Sequence, residues 1–506
     1  MLEFQAPSER AASSAPLTDC PLLVDVDGCL VRTDLLWEGI ARMAMTCPSR
    51  LPGMAPALVG GRASLKAYVK RHAPLALDTL PLDEDVLALI ANARAIGQPV
   101  LLVSGSDAEQ VGALRDRVNA DGAIGSDGVV NLVGRTKLES IRSRFLAFDY
   151  VGNALVDLPI WRAADHAYAV NTAPWTRWLA RRSRNDLVLL GSARTWPALW
   201  RSMRIHQWAK NLLIPLPAMA AHLPLTLALA LQLLAGIAAF SLMASAVYIL
   251  NDIADLDSDR RHETKRRRPF ASGQLGIPTG LAAAAVLVAG AAAIALRLPP
   301  DFQWILAGYA ALTSLYSLAL KRVALLDVVT LATLYTARIV AGAALVQVPL
   351  TQWFLGFAIF FFLSLALAKR AVELQRMGAS TETVRGRGYS PADLPVIVAF
   401  GAGSAVASAL VYCLYITGSE VSRLYPHPML LWLGLPILLY WIGRVWMLTL
   451  RGAMRDDPVV FALRDGLSKV TFIAFLIVVV AASHHSRSHG NSSISPHRSL
   501  LISLNS

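Results

Sequence analysis

An α/β domain followed by an all-α membrane bundle of about nine helices is the multidomain architecture that this 506-residue sequence predicts. Three features predict it. Short apolar segments in the first part, such as residues 21–24 and 100–103, run into acidic or hydroxyl side chains, as buried strands do where they leave a sheet. From about residue 211 onward, apolar runs of membrane length recur between short polar loops. Basic residues cluster in alternate loops of that second part, which is how a bundle records its orientation in a bilayer.

Composition agrees. With 55% hydrophobic and only 16% charged residues, the chain reads as an integral membrane protein. The net charge of +12 does not call for nucleic acid as a partner, because topology already accounts for basic residues in alternate loops. Cys20, Cys29, Cys47 and Cys413 show neither paired spacing nor a CxxC, so neither a disulfide framework nor a zinc site is expected. No basic-apolar leader opens the chain, and insertion is expected to rely on internal spans. The expected order is a disordered polar tail over 1–19, an α/β domain over 20–180 with a helical cap near 33–95, a linker over 181–205, a transmembrane domain over 206–485, and a disordered tail over 486–506.

Candidate spans lie near 208–222, 226–250, 277–297, 303–320, 323–347, 352–368, 394–416, 428–448 and 468–483. The loops after the second, fourth, sixth and eighth carry the basic clusters: 260–268, Lys321 with Arg322, 369–387 and 451–464. Those loops are expected to face the cytosol, which places the N-terminal domain in the cytoplasm and the protein in the inner (plasma) membrane as a multi-pass protein.

The second span ends in Asn251-Asp252-Ile253-Ala254-Asp255-Leu256-Asp257-Ser258-Asp259. Acids at a span's end need a reason. Asp252, Asp255 and Asp259 stand at i, i+3 and i+7, so a helix continuing out of the span puts the three carboxylates on one face, where oxygen ligands suit Mg²⁺. The basic residues that follow, including Lys265 and Arg268, suit a grip on a diphosphate. A second polar group comprises Tyr316, Lys321 and Asp327, with Arg338 deeper in the fifth span. An intramembrane arginine pairs with a carboxylate or lines a wet cavity, and Asp327 is the candidate partner. After the sixth span come Lys369, Arg370 and Glu373 on helical spacing, then Arg385 and Arg387.

Asn251-Asp252-x-x-Asp255-x-x-x-Asp259 followed by Lys265-Arg266-x-Arg268-Pro269 resembles the first aspartate-rich motif of the UbiA superfamily of intramembrane prenyltransferases. The resemblance extends to Gln207-Trp208-Ala209-Lys210-Asn211 and to Tyr316-x-x-x-x-Lys321-x-x-x-x-x-Asp327. It implies Mg²⁺ on Asp252, Asp255 and Asp259, a diphosphate donor gripped with Asn251, Lys265 and Arg268, and a polyprenyl lipid as co-substrate. Where a second acidic motif is usual, only Asp327 stands, with Thr330 and Leu331 in the neighbouring places. Tyr316-Ser317, Lys321, Arg338-x-x-Ala341-Gly342 and Lys369-Arg370-x-x-Glu373-Leu374 are similar to the decaprenyl-phosphate phosphoribosyltransferase subgroup. That implies transfer of phosphoribosyl from phosphoribosyl pyrophosphate to a polyprenyl phosphate held near Lys321, Lys369 or Arg370, with Lys210, Asn211, Tyr316, Asp327 and Arg338 also on the substrate side. The same metal site in an aromatic prenyltransferase would ionise a polyprenyl diphosphate for an acceptor such as 4-hydroxybenzoate, which is the alternative.

In the first domain, residues 21–24 deliver Asp25-Val26-Asp27-Gly28, residues 100–103 deliver Ser104, Lys137 follows, and residues 148–151 deliver Gly152-Asn153-x-x-x-Asp157. This order is similar to that of haloacid dehalogenase (HAD)-type phosphohydrolases. The resemblance implies Asp25 as nucleophile, Asp27 as general acid/base, Ser104 and Lys137 on phosphate, and Mg²⁺ held by Asp25, Asp27 and Asp157. Asn153 stands where an aspartate is common. A phosphatase fused to the transferase is therefore expected, able to act on the phosphorylated product or a related ester.

Overall fold

The computed structural model describes residues 20–126, 132–191, 195–377, 388–454 and 458–483. The expected tails, and Arg385 and Arg387, lie outside the described residues. The described residues up to Trp208 together with Ala238–Arg297 form one compact unit, and Ala209–Ile237 together with the described residues from Leu298 onward form a second. The cysteines are free thiols.

In the first unit, strands β1 (Leu22–Val24), β2 (Val100–Asp107), β3 (Gly122–Ser126), β4 (Asp149–Gly152), β5 (Ala167–Val170) and β6 (Val188–Leu190) make one sheet. Their order is β3-β2-β1-β4-β5-β6, and every neighbouring pair is parallel. A parallel sheet must be covered on both faces. Here Leu22, Val24, Val100 and Leu102 enter one apolar cluster, while Leu23, Leu101, Val103 and Tyr150 enter another. The order reverses around β1, which pairs with both β2 and β4, and that switch opens a crevice beyond the strands' carboxyl ends. Between β1 and β2 run several helices, among them α1 (Leu35–Thr46) and α2 (Arg62–His72). Asp34 starts α1 by accepting from the N–H groups of Leu36 and Trp37, at 2.9 and 3.1 Å. Helix α3 (Arg135–Arg142) precedes β4.

The apolar runs form α4 (Leu227–Ala254), a short α5 (Leu256–Arg260), α6 (Ile277–Ala295), α7 (Pro300–Leu318), α8 (Leu326–Val346), α9 (Gln352–Met377), α10 (Leu394–Ile416), α11 (Gly434–Leu450) and α12 (Gly466–Ser483). Among the described residues, seven helices are long and apolar enough to cross a membrane, against the nine or so expected: α4, α6, α8, α9, α12, and α10 and α11 with the turns that lead into them. The chain near 208–222 is no continuous helix. It breaks into a 3₁₀ stretch (Ile205–Leu213) and a five-residue helix (Leu216–Ala220), since Pro215 and Pro217 interrupt the ladder of backbone bonds. α7 sits near its expected place, but Asp301, Gln303, Thr313, Ser314 and Ser317 dilute its apolar character.

In the second unit, α8 and α9 build the main apolar cluster, from Val328, Ala332, Tyr335 and Ile339 against Phe362, Leu365 and Leu367, with Tyr335 stacked on Phe362 at 5.0 Å. Gly342 lets the chain pass close to α8, because a Cβ there would sit 2.0 Å from the Ile214 carbonyl oxygen. Gly342→Ala is expected to destabilise the protein by about 1–3 kcal/mol or more through overpacking against rigid backbone. A fall of several degrees in the thermal midpoint in detergent checks this.

Candidate active sites

The crevice at the sheet's switch point gathers the residues expected there. Lys137 of α3 is buried and donates from Nζ to Asp25 Oδ1 at 2.9 Å and to the Tyr150 hydroxyl oxygen at 3.2 Å. The Tyr150 hydroxyl in turn donates to Asp157 Oδ1 at 3.1 Å, while Asp157 Oδ2 accepts from the N–H groups of Asn153 and Ala154. Asp27 accepts from the Leu35 N–H at 2.9 Å, from Ser104 Oγ at 3.1 Å and from Ser106 Oγ at 2.5 Å. Burial pushes the Asp25 carboxyl up, to about 7, against the pull of Lys137. For Lys137 burial works downward, and the carboxylates of Asp25 and Asp157 outweigh it and hold it above its ordinary value. Gly28, at φ +71°, lies against Asn153, whose Nδ2 would stand 2.1 Å from a Cβ at that position. The arrangement puts one carboxylate beside a fixed cation and a second beside two hydroxyls, which suits a phosphate ester.

In the same unit, the acid-rich span end is not one unbroken helix. α4 stops at Ala254, and Asp255 becomes the N-cap of α5 at φ −95°, ψ 10°. The turn is slight, because the Asp255 N–H still reaches the Asn251 carbonyl at 2.9 Å and the Asp259 N–H the Asp255 carbonyl at 2.8 Å. Asp252 and Asp259 are both buried to 2% exposure, whereas Asp255 is half-buried. One nitrogen of Arg268, Nη1, donates to Asp252 at 3.2 Å and to Asp259 at 2.7 Å. Arg204 donates to Asp252 at 2.5 Å and lies over the Tyr248 ring. Burial raises the Asp259 carboxyl above its ordinary range, opposed by Arg268 and, more weakly, by Lys265.

Among the described residues, no three acidic, histidine or cysteine side chains are grouped to hold a metal ion. In the expected sets, Asp25 with Asp27 and Asp157 and Asp252 with Asp255 and Asp259, carboxylates are instead partnered within the chain. Cations of the chain stand in that place. Lys137 takes Asp25, backbone donors and Tyr150 take Asp157, and Arg268 bridges Asp252 to Asp259. Two carboxylates sharing one cationic nitrogen are a donor pair that fits Mg²⁺ in exchange for that guanidinium.

In the second unit, Asp327 is fully buried and accepts from Arg370 Nη2 at 2.5 Å and from the Tyr389 hydroxyl. Arg370 also holds Glu373. Arg338 does not pair with Asp327, correcting the sequence expectation: eleven residues of helix separate them by about 16 Å. Arg338 instead donates to Asn211 Oδ1 and to the Tyr309 hydroxyl, both at 2.9 Å, and to the Leu334 carbonyl, with its guanidinium over the rings of Tyr309 and Tyr335. Lys210 Nζ lies 5.2 Å from the Tyr335 ring centre. Tyr316, Lys321 and Lys369 are half-buried, and Tyr316 lies within electrostatic reach of Arg370 and Lys369. Ser106, Tyr150, Arg204, Tyr309 and Tyr389 are the residues that sequence reasoning missed. For Ser106 the second hydroxyl of Ser104-Gly105-Ser106 was a usable signal; for the others nothing local distinguished them.

The sequence model of the UbiA prenyltransferase family matches residues 211–482. The chain belongs to that family. It is a multi-pass membrane transferase, and over 307 residues it is 28% identical to decaprenyl-phosphate phosphoribosyltransferase of Mycobacterium tuberculosis, a match covering 59% of this chain and 98% of that one. Nodulation protein NoeC of Azorhizobium caulinodans is 33% identical over 279 residues, covering 55% of this chain and 90% of the relative. The uncharacterized protein y4nM of Sinorhizobium fredii is 37% identical over 463 residues, 90% of this chain and 89% of its own length. A match of that extent spans both the sheet domain and the membrane helices.

Arg370→Leu is expected to destabilise the protein by about 3–5 kcal/mol, because it leaves Asp327 buried without its cation. Adding Asp327→Leu should recover most of that loss, and unfolding of the single and double variants in detergent measures both effects.

Proposed function

We propose that this UbiA-family protein transfers phosphoribosyl from phosphoribosyl pyrophosphate to a polyprenyl phosphate, and that its HAD-like N-terminal domain hydrolyses a phosphate monoester. The observation that carries the first part is the state of Asp327. Asp327, at the place of a second acidic motif, is enclosed by Arg370 and Tyr389; Arg370 also holds Glu373, and Tyr316 lies within electrostatic reach of Arg370, Lys369 and both carboxylates. Such a group suits an acceptor phosphate better than a second metal-bound diphosphate. The similarity to the mycobacterial decaprenyl-phosphate phosphoribosyltransferase supports phosphoribosyl transfer to a polyprenyl phosphate.

In this reading Asp252 and Asp259, with Asp255 at the turn between them, would hold Mg²⁺, and the ion would supply charge neutralisation for the leaving pyrophosphate. Arg268, released from the two carboxylates, and Lys265 share the remaining charge, while Asn251, Lys210, Asn211 and Arg338 shape the polar surroundings. The anomeric C–O bond breaks as pyrophosphate departs, and an oxygen of the polyprenyl phosphate, held by Lys321 and Lys369, forms the new bond. No side chain need act as nucleophile. In the N-terminal domain Asp25 attacks phosphorus, Asp27 gives its proton to the leaving oxygen, and Lys137 and Ser104 hold the phosphate oxygens; water then releases Asp25. Asp157 steadies Lys137 through Tyr150, and with Asp25 and Asp27 it supplies oxygen donors for a Mg²⁺ of that site. Both sites are assigned to the cytoplasmic side, where their phosphorylated substrates are.

Membranes given labelled phosphoribosyl pyrophosphate and polyprenyl phosphate should form labelled lipid in a Mg²⁺-dependent reaction, reduced about 100-fold or more by Asp252→Ala or Asp259→Ala. Absence of labelled lipid together with prenylation of 4-hydroxybenzoate would overturn the reading. Asp25→Asn should leave that transfer intact and abolish release of phosphate from the phosphorylated lipid product.

A further inference from the structure

We propose that Glu38 and Arg42 of the N-terminal domain are positioning residues for the membrane acid motif, so that the hydrolase-like domain sets the geometry of Asp259. The inference rests on the metal role given to that motif above. α5, which carries Asp259 and starts at Asp255, is five residues long, too short to hold its shape unaided. Its support comes from α1. Arg260 at the end of α5 makes a two-pronged pair with Glu38, Nη1 to Oε2 at 3.0 Å and Nη2 to Oε1 at 2.6 Å, and both side chains are only 4% exposed. Thr33 Oγ1 donates to the same Glu38 at 2.7 Å, and Arg260 Nε reaches the Ala271 carbonyl at 3.2 Å. One turn further along α1, Arg42 pairs with Asp257 at 2.5 Å. Positions 37, 38, 41 and 42 share one helix face, and Trp37 and Ala41 complete it by packing against the cluster of Ile249, Ile253 and Leu256.

A buried, bidentate Arg–Glu pair and a half-exposed ion pair thus clamp α5 from both sides of an apolar contact. Arg260 is the direct neighbour of Asp259, so the clamp fixes where that carboxylate stands relative to Asp252. The amino end of α1 donates to Asp27 through the Leu35 N–H, so one helix touches the groups of both proposed sites.

Hydrogen exchange of the full chain in detergent, followed at the amides of residues 252–260 during Mg²⁺ titration, tests the proposal. Glu38→Gln is expected to raise the Mg²⁺ concentration for half-maximal protection about tenfold, the low end for residues that orient metal-holding carboxylates. Arg42→Ala, at a pair the fold tolerates losing, is expected to raise it about threefold. Unchanged values in Arg42→Ala, or in a folded Glu38→Gln, overturn the proposal. If Mg²⁺ protects nothing in the wild type, the metal reading fails instead, and positioning is judged by basal exchange of residues 256–260, which must speed up in both variants.

Discussion

Burying a carboxylate away from water is expensive unless a cation and further donors accompany it. Nearly every polar feature of this protein follows from that constraint. Asp25 has Lys137, Glu38 has Arg260, Asp252 has Arg204 with Arg268, Asp259 shares Arg268, and Asp327 has Arg370. Where a second donor is needed, a hydroxyl supplies it, from Tyr150 to Asp157, from Thr33 to Glu38 and from Tyr389 to Asp327. At the end of a membrane span the constraint tightens, because hydrocarbon offers no solvent to screen a stray charge.

These pairs also suggest how the acid motif is kept before its ligands arrive. Arg268 satisfies Asp252 and Asp259 at once, so the two carboxylates stay close together without strong mutual repulsion. The sheet domain uses a related device, with Lys137 compensating Asp25 while backbone N–H groups fix Asp157. In both places the chain's own cation holds acidic groups in a compact arrangement suited to phosphate chemistry.

The join between the domains is more than a tether. Helix α1 caps Asp27 with its first N–H, packs Trp37 and Ala41 on the membrane-helix cluster, and pins α5 through Glu38 and Arg42. The match to the Sinorhizobium fredii relative covers 90% of this chain and so includes both parts.

Much of this was legible in order along the chain. Apolar runs delivering Asp25, Ser104 and Gly152-Asn153 located β1, β2 and β4, and apolar length located most of the spans, because strand pleat and helix rise are local properties. The spacing of Asp252, Asp255 and Asp259 announced a charged face for the same reason. β5 and β6, no shorter than β4 and β1, run into Asn171 and Gly191 rather than into an acid that would mark their ends. Partner choice was not legible at all: Arg338 announced itself as a buried cation, yet it takes Asn211, 127 residues away, rather than Asp327 on its own helix. Glu38 and Arg260 lie 222 residues apart, and neither belongs to a recognisable motif. Which elements form, and which chemistry their ends carry, follows from neighbours a few residues apart. Which carboxylate meets which cation depends on how helices pack, and packing energy is shared among side chains that the linear order leaves far from one another.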